Sequence, residues 1–82
     1  MKLSTAIKKL SKLTTVKNNH QTYSAKVNDS IIEFMRNGKV EEDPNITCIR
    51  VRDITDHDDS MTDYSAGIWC NNLTQAIKLA QC

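Results

Sequence analysis

Six side chains that could hold a cation or move a proton crowd into one run: Asp53, Asp56, His57, Asp58, Asp59 and Asp63. Oxygen donors at this density suit Mg²⁺ or Ca²⁺. An EF-hand loop started at Asp56 places Asp58 and Ser60 at its third and fifth positions. Met61 then falls where glycine is needed, and Gly67 falls where the bidentate glutamate belongs, so the pattern fails. Two-metal hydrolysis needs carboxylates converging from separate rigid elements, and a single run does not supply them. The expectation is a solvated or partner-facing acidic loop, with no metal and no cofactor.

The thiols give as little chemistry. Zinc asks for two closely spaced pairs of Cys or His. Here Cys48, Cys70 and Cys82 are widely separated, and His20 and His57 stand alone. A nucleophile–base pair of Cys70 with His57 is formally open, but cysteine is among the most often buried residue types. Core packing is therefore expected for Cys48 and Cys70, and exposure for Cys82. Three cysteines cannot build a closed disulfide framework, which fits reduced thiols in a cytosol. Two glycines, Gly38 and Gly67, cannot form a phosphate-cradling loop. No acid–base constellation is visible, and no enzyme is expected.

Basic residues suggest a different use. Lys2, Lys8, Lys9 and Lys12, with Lys17, could contact phosphates, and Arg50 and Arg52 extend the set. A solvated helix face is the commoner reason for such lysines. The element order derived below resembles that of double-stranded-RNA-binding domains. Those domains carry a lysine cluster where the second helix begins, and here that place reads Asn71-Asn72-Leu73-Thr74.

The elements that must position these residues follow from periodicity. Leu3, Ala6, Ile7, Leu10 and Leu13 recur at helical spacing, with the lysines opposite, so residues 3–13 form an amphipathic helix with Ser4 as N-cap. A short strand lies around Thr15–Lys17, followed by a turn at Asn18–Gln21. Tyr23, Ala25 and Val27 alternate as on a half-buried strand. Asn28-Asp29 turns the chain into a strand from Ile31 to Met35, which ends at Asn37-Gly38. After an acidic loop, Ile46 to Ile54 is the clearest strand. Strict alternation puts Ile49 and Val51 on one face and Ile46, Cys48, Arg50 and Arg52 on the other, the arginines toward solvent or a partner. Residues 64–70 can form a last short strand. Asn72 to Gln75 resembles a capping box, opening a helix whose stripe is Leu73, Ala76, Ile77 and Ala80.

The order is α-β-β-β-(β)-α: an α+β fold with two helices packed on one face of an antiparallel sheet. At 82 residues this is one domain, 1–82. No run approaches the roughly 18 apolar residues that span a bilayer, and the start lacks the apolar core of a secretion signal, so a cytoplasmic protein with no membrane partner is expected. Net charge is only +1, yet it is unevenly spread. Residues 1–40 hold eight Lys/Arg against two Asp/Glu, net +6; residues 41–82 hold three against eight, net −5. Such asymmetry can orient a partner or pair a second copy into a homodimer.

Residues 58–64 (Asp-Asp-Ser-Met-Thr-Asp-Tyr) and 66–77, from Ala66 through Trp69, Cys70 and Asn72 to Ile77, resemble small proteins of bacteriophages and mobile elements. Their layout is also similar to an accessory domain of large phage polyvalent proteins. The resemblance implies a bacterial host cytosol and a non-enzymatic accessory protein that binds and blocks a host defence complex, of anti-CRISPR or anti-restriction type. On that reading Asp53, Asp56, Asp58, Asp59 and Asp63 enter a basic groove that normally holds nucleic acid, and Tyr64 and Trp69 anchor the contact. Core packing is the commoner fate of a lone Trp. The alternative is a nucleic-acid-binding module using the lysine face with Arg50 and Arg52.

Overall fold

The computed structural model describes residues 1–53 and 67–81. Its elements run α1 (Leu3–Ser11), β1 (Val16–Asn19), β2 (Thr22–Val27), β3 (Ser30–Arg36), a 3-10 turn (Val40–Glu42), β4 (Ile46–Asp53), β5 (Ile68–Cys70) and α2 (Leu73–Ala80). The five strands form one antiparallel sheet in chain order. The α+β class and the order read from periodicity hold, and the short segment near Thr15–Lys17 is a full edge strand.

Two-residue loops set the first two hairpins. Asn19 pairs with Thr22 and Val27 with Ser30. The first loop residue of each, His20 and Asn28, is left-handed, with φ of 59° and 54°. Asparagine takes that conformation at little cost. These turns fix a register in which Tyr23, Ala25, Val27, Ile32 and Phe34 share one face, and the two helices cover it with Leu3, Ala6, Leu10, Leu73, Ala76 and Ala80. Tyr23 and Phe34, directly opposed across β2 and β3, stack with ring centroids 5.4 Å apart.

The face assignment of β4 differs from strict alternation. Ser30 to Glu33 pair with Asp53 to Arg50 in one register, and Met35 and Arg36 pair with Thr47 and Ile46 in another. Two residues, Cys48 and Ile49, therefore stand opposite Phe34, which is a β-bulge. Cys48 sits at φ 54°, is exposed, and is not in the core as its residue type suggested. The bulge resets the alternation, so Ile46 joins Ile49 and Val51 on the helix-covered face.

Helix α1 begins one residue earlier than its expected cap. Lys2 occupies the N-cap position with no side-chain bond, and the helix stops at Ser11, so Leu13 is exposed. The missing cap comes from a remote loop. Asp43 Oδ1 accepts from the Ser4 N–H at 2.9 Å, and Asp43 Oδ2 accepts from the Ser4 hydroxyl at 2.8 Å. The chain start is tied to the same loop through Leu3 N–H to Pro44 O and Ile46 N–H to Met1 O. Helix α2 is capped as its sequence indicates. Asn72 Oδ1 accepts from Gln75 N–H, while Gln75 Oε1 accepts from the N–H of Asn71, one residue before the expected Asn72.

The Asp43 cap has a pH signature. The Ser4 N–H, then the Ser4 hydroxyl, hold the Asp43 carboxyl below the usual carboxylate range. Its folded value lies below its unfolded value, so its stabilisation is full above the unfolded value, near pH 4, and is lost as pH falls through the folded value. Asp43→Ala is expected to lower the midpoint of thermal unfolding at pH 7 and to flatten the acid limb below about pH 4. Urea unfolding of both proteins between pH 2 and 7 checks this. Parallel acid limbs in the two would refute the cap.

Candidate functional site

The face of the sheet that neither α1 nor α2 covers, called the helix-free face for those two helices, carries the polar chemistry of the described residues. One cross-strand row runs Lys17, Ser24, Glu33, Arg50, Trp69, and a second runs Lys26, Ile31, Arg52. Glu33 sits at the centre. Its Oε1 accepts from Arg50 Nε at 3.2 Å, Arg50 Nη2 at 2.9 Å and Arg52 Nε at 2.8 Å. All three residues are buried, at 3%, 3% and 8% exposure for Glu33, Arg50 and Arg52. The expectation that the arginines face solvent or a nucleic acid is thus corrected: their donors converge on a buried carboxylate. Glu33 Oε2 and Arg52 Nη1 are buried with no hydrogen-bond partner among the described residues. Sequence reading missed Glu33. Its signal was a lone acid at the centre of an apolar strand, Ile31-Ile32-Glu33-Phe34-Met35, directly opposite an arginine.

Two arginines share the carboxylate of one glutamate in this cluster. Such a group is held by geometry and is costly to break, because removing one partner strands buried charge. Trp69 lies over Arg50, with the guanidinium carbon 5.6 Å from the ring centroid. Gly67 makes that approach feasible. A Cβ there would sit 2.7 Å from Val51 O and 3.1 Å from both Arg50 Cγ and Arg52 Cβ, and its φ is +102°.

Trp69 is not a core residue. It is 53% exposed and its neighbour Ile68 56% exposed. Both lie on β5, whose outer side has no neighbouring strand among the described residues. Ile68 shares a shallow groove with Val51 and Leu79 on the helix-covered side. Cys70 is half-buried, and burial pushes its thiol upward, away from a reactive thiolate.

The lysine face is divided. Lys2, Lys8 and Lys12 are exposed on or beside α1, and Lys9 Nζ donates to Thr74 Oγ1 at 2.7 Å. Lys17 projects from the opposite side of the sheet, since Val16 beside it packs on the core. Asp53 is exposed at the end of β4. Asp56, His57, Asp58, Asp59, Asp63, Tyr64 and Cys82 lie outside the described residues. Among the described residues, no three of His, Cys, Asp or Glu gather in a metal-binding arrangement, and no helix is long and apolar enough to cross a membrane.

Glu33→Gln is expected to cost about 3–5 kcal/mol, because two buried arginines lose their shared countercharge. Replacing all three, as Glu33→Met with Arg50→Leu and Arg52→Ile, should recover most of that loss. Chemical denaturation of wild type, single and triple variants decides it. A single variant as stable as wild type would show that the cluster contributes little.

The chain matches no family model, no curated protein and no solved structure.

Proposed function

We propose that this protein is a non-enzymatic binding module that engages another protein through strand β5. One observation carries the reading: Ile68 and Trp69, on a strand at the sheet's edge, are more than half exposed in a domain whose other aromatics on β2 and β3 are buried. Large aromatics dominate the binding energy of protein interfaces, and leaving such a pair in water is costly unless a partner covers it. The cation–π contact with Arg50 holds the ring in place before any partner arrives.

The nucleic-acid reading is weaker on the same geometry. Arg50 and Arg52 are sequestered with Glu33, and Lys17 is separated from the lysines of α1 by the sheet. A finer proposal concerns the partner. The acidic run of the sequence, Asp53 to Asp63, suits a basic groove built for nucleic acid, as in a host defence complex met by a phage or mobile-element protein.

The test is capture of partners from nuclease-treated bacterial lysate by tagged wild type, Trp69→Ser, and Asp58→Asn with Asp59→Asn. The Trp69→Ser domain should remain folded, losing about 0.5–1 kcal/mol with the cation–π contact. A stoichiometric partner retained by wild type and lost by Trp69→Ser is the expected result, and its loss by the Asp pair would establish the finer proposal. Capture that depends on intact nucleic acid and falls steeply with salt, unchanged by Trp69→Ser, would refute the binding-module reading.

A further inference from the structure

Asn37-Gly38 follows β3 and leads into the loop that caps α1. No other asparagine of the chain precedes a glycine. An asparagine amide is among the less durable groups of a protein, because the main-chain nitrogen of the next residue can attack it. A glycine in that next place has no Cβ to stand in the way. Both residues are exposed.

The bonding at this corner leaves the attack open. The Asn37 N–H donates to Asn45 O at 2.8 Å, and Gly38 O accepts from Arg36 Nε at 2.9 Å. Between these two bonds the Gly38 N–H makes none among the described residues, and neither does the Asn37 side chain. The attacking nitrogen therefore has no hydrogen bond to break. The Arg36 guanidinium nearby favours loss of its proton.

We propose that Asn37 is a site of spontaneous covalent modification, and that its isoaspartyl product loosens the loop that caps α1. The Gly38 nitrogen gives its proton to hydroxide and bonds to Cγ of Asn37. The C–N bond of the side-chain amide breaks, and ammonia leaves after taking a proton from water. Water then adds to one carbonyl carbon of the cyclic imide, that carbon's bond to the Gly38 nitrogen breaks, and a proton returns to the nitrogen. Opening at the side-chain carbonyl gives aspartate on an unchanged backbone. Opening at the main-chain carbonyl gives isoaspartate, whose backbone runs through Cβ and is one atom longer. The balance is water gained and ammonia lost, with nothing oxidised or reduced. Either product adds a negative charge to a chain of net charge +1.

The two products act differently on the fold. Aspartate keeps every main-chain contact and sets a carboxylate next to Arg36, a modest attraction at an exposed site. The longer backbone of isoaspartate displaces Gly38. A Cβ on that glycine would meet Pro44 Cβ at 3.4 Å, so Gly38 lies against the far arm of the loop. Pro44 O accepts from the Leu3 N–H, and Asp43 beside it caps α1 through Ser4. A shift of Gly38 is thereby passed to the cap.

The full chain is held in mildly alkaline buffer made with heavy-oxygen water, folded and, in parallel, unfolded in urea. Peptide mapping by mass spectrometry follows each asparagine. In the folded protein Asn37 is expected to convert before any other asparagine, with a single heavy oxygen entering at that residue, and Asn37→Gln should resist conversion over the same period. The isoaspartyl form, isolated by ion exchange, should unfold at a lower urea concentration than its parent, with the acid limb flattened as in Asp43→Ala. Asn37→Asp, a surface change, should unfold as wild type does. Asn37 left intact in the folded chain after it has converted in urea would show that the fold shields the amide, and would overturn the proposal. An isoaspartyl form as stable as Asn37→Asp would overturn the loosening of the loop.

Discussion

The left-handed residue Cys48 decides what each face of the sheet contains. Without the bulge, alternation along β4 would carry Thr47 into the core and turn Ile46 outward. With it, Ile46 is buried alongside Ile49 and Val51, and Thr47 faces water. A non-glycine residue in this conformation costs about 1–2 kcal/mol, whereas burying an isoleucine side chain gains about 1.5–3 kcal/mol. The second outweighs the first, so the strain is sustained by the core it completes. The same shift lets Ile46 N–H reach Met1 O, which anchors the chain start, and with it α1, to the loop that carries Asp43.

The bulge also separates two chemistries on one strand. Above it, β4 keeps strict alternation, and Arg50 and Arg52 both project to the helix-free face, flanking Glu33. Charges at this depth are costly unless they are paired and hydrogen-bonded. Oε1 of Glu33 receives three N–H donors, a concentration of charge-assisted bonds that fixes β3 against β4 at the middle of the sheet. Trp69 can lie over Arg50 because Gly67 lets the returning chain pass close to β4. The core on one side and the ion cluster on the other thus hold β5 from both faces.

The elements with a clear period were legible in the sequence. The stripe of α1, the alternation of Tyr23, Ala25 and Val27, the Asn28-Asp29 turn and the Asn72–Gln75 cap all appear where local pattern put them. What local pattern could not carry was non-local. The Asp43 cap comes from 39 residues away in sequence, so Ser4, a good cap by type, lies inside the first turn. The fate of Arg50 and Arg52 depended on Glu33, 17 and 19 residues away, and on a bulge at a cysteine, a residue type that does not announce a left-handed conformation. Trp69 had two readings, a partner anchor and the core packing that is commoner for its residue type, and residue type alone does not choose between them. Its exposure fits its place on β5, beyond which no strand lies among the described residues, on a face that neither α1 nor α2 covers.

An exposed Trp on a sheet edge would be unremarkable on a large protein, where single surface apolar residues are common. Here the scale changes the argument. A domain of about this size buries only some 60% of the surface its chain can expose, and every apolar side chain left outside is a sizeable share of what remains. Among the described residues, β1 carries a lysine and two asparagines, whereas β5 carries no charge. The Arg50 contact preorganises the Trp69 ring, which reduces the entropy lost when a partner orders it. A residue exposed only by default would need no such support from a buried cation.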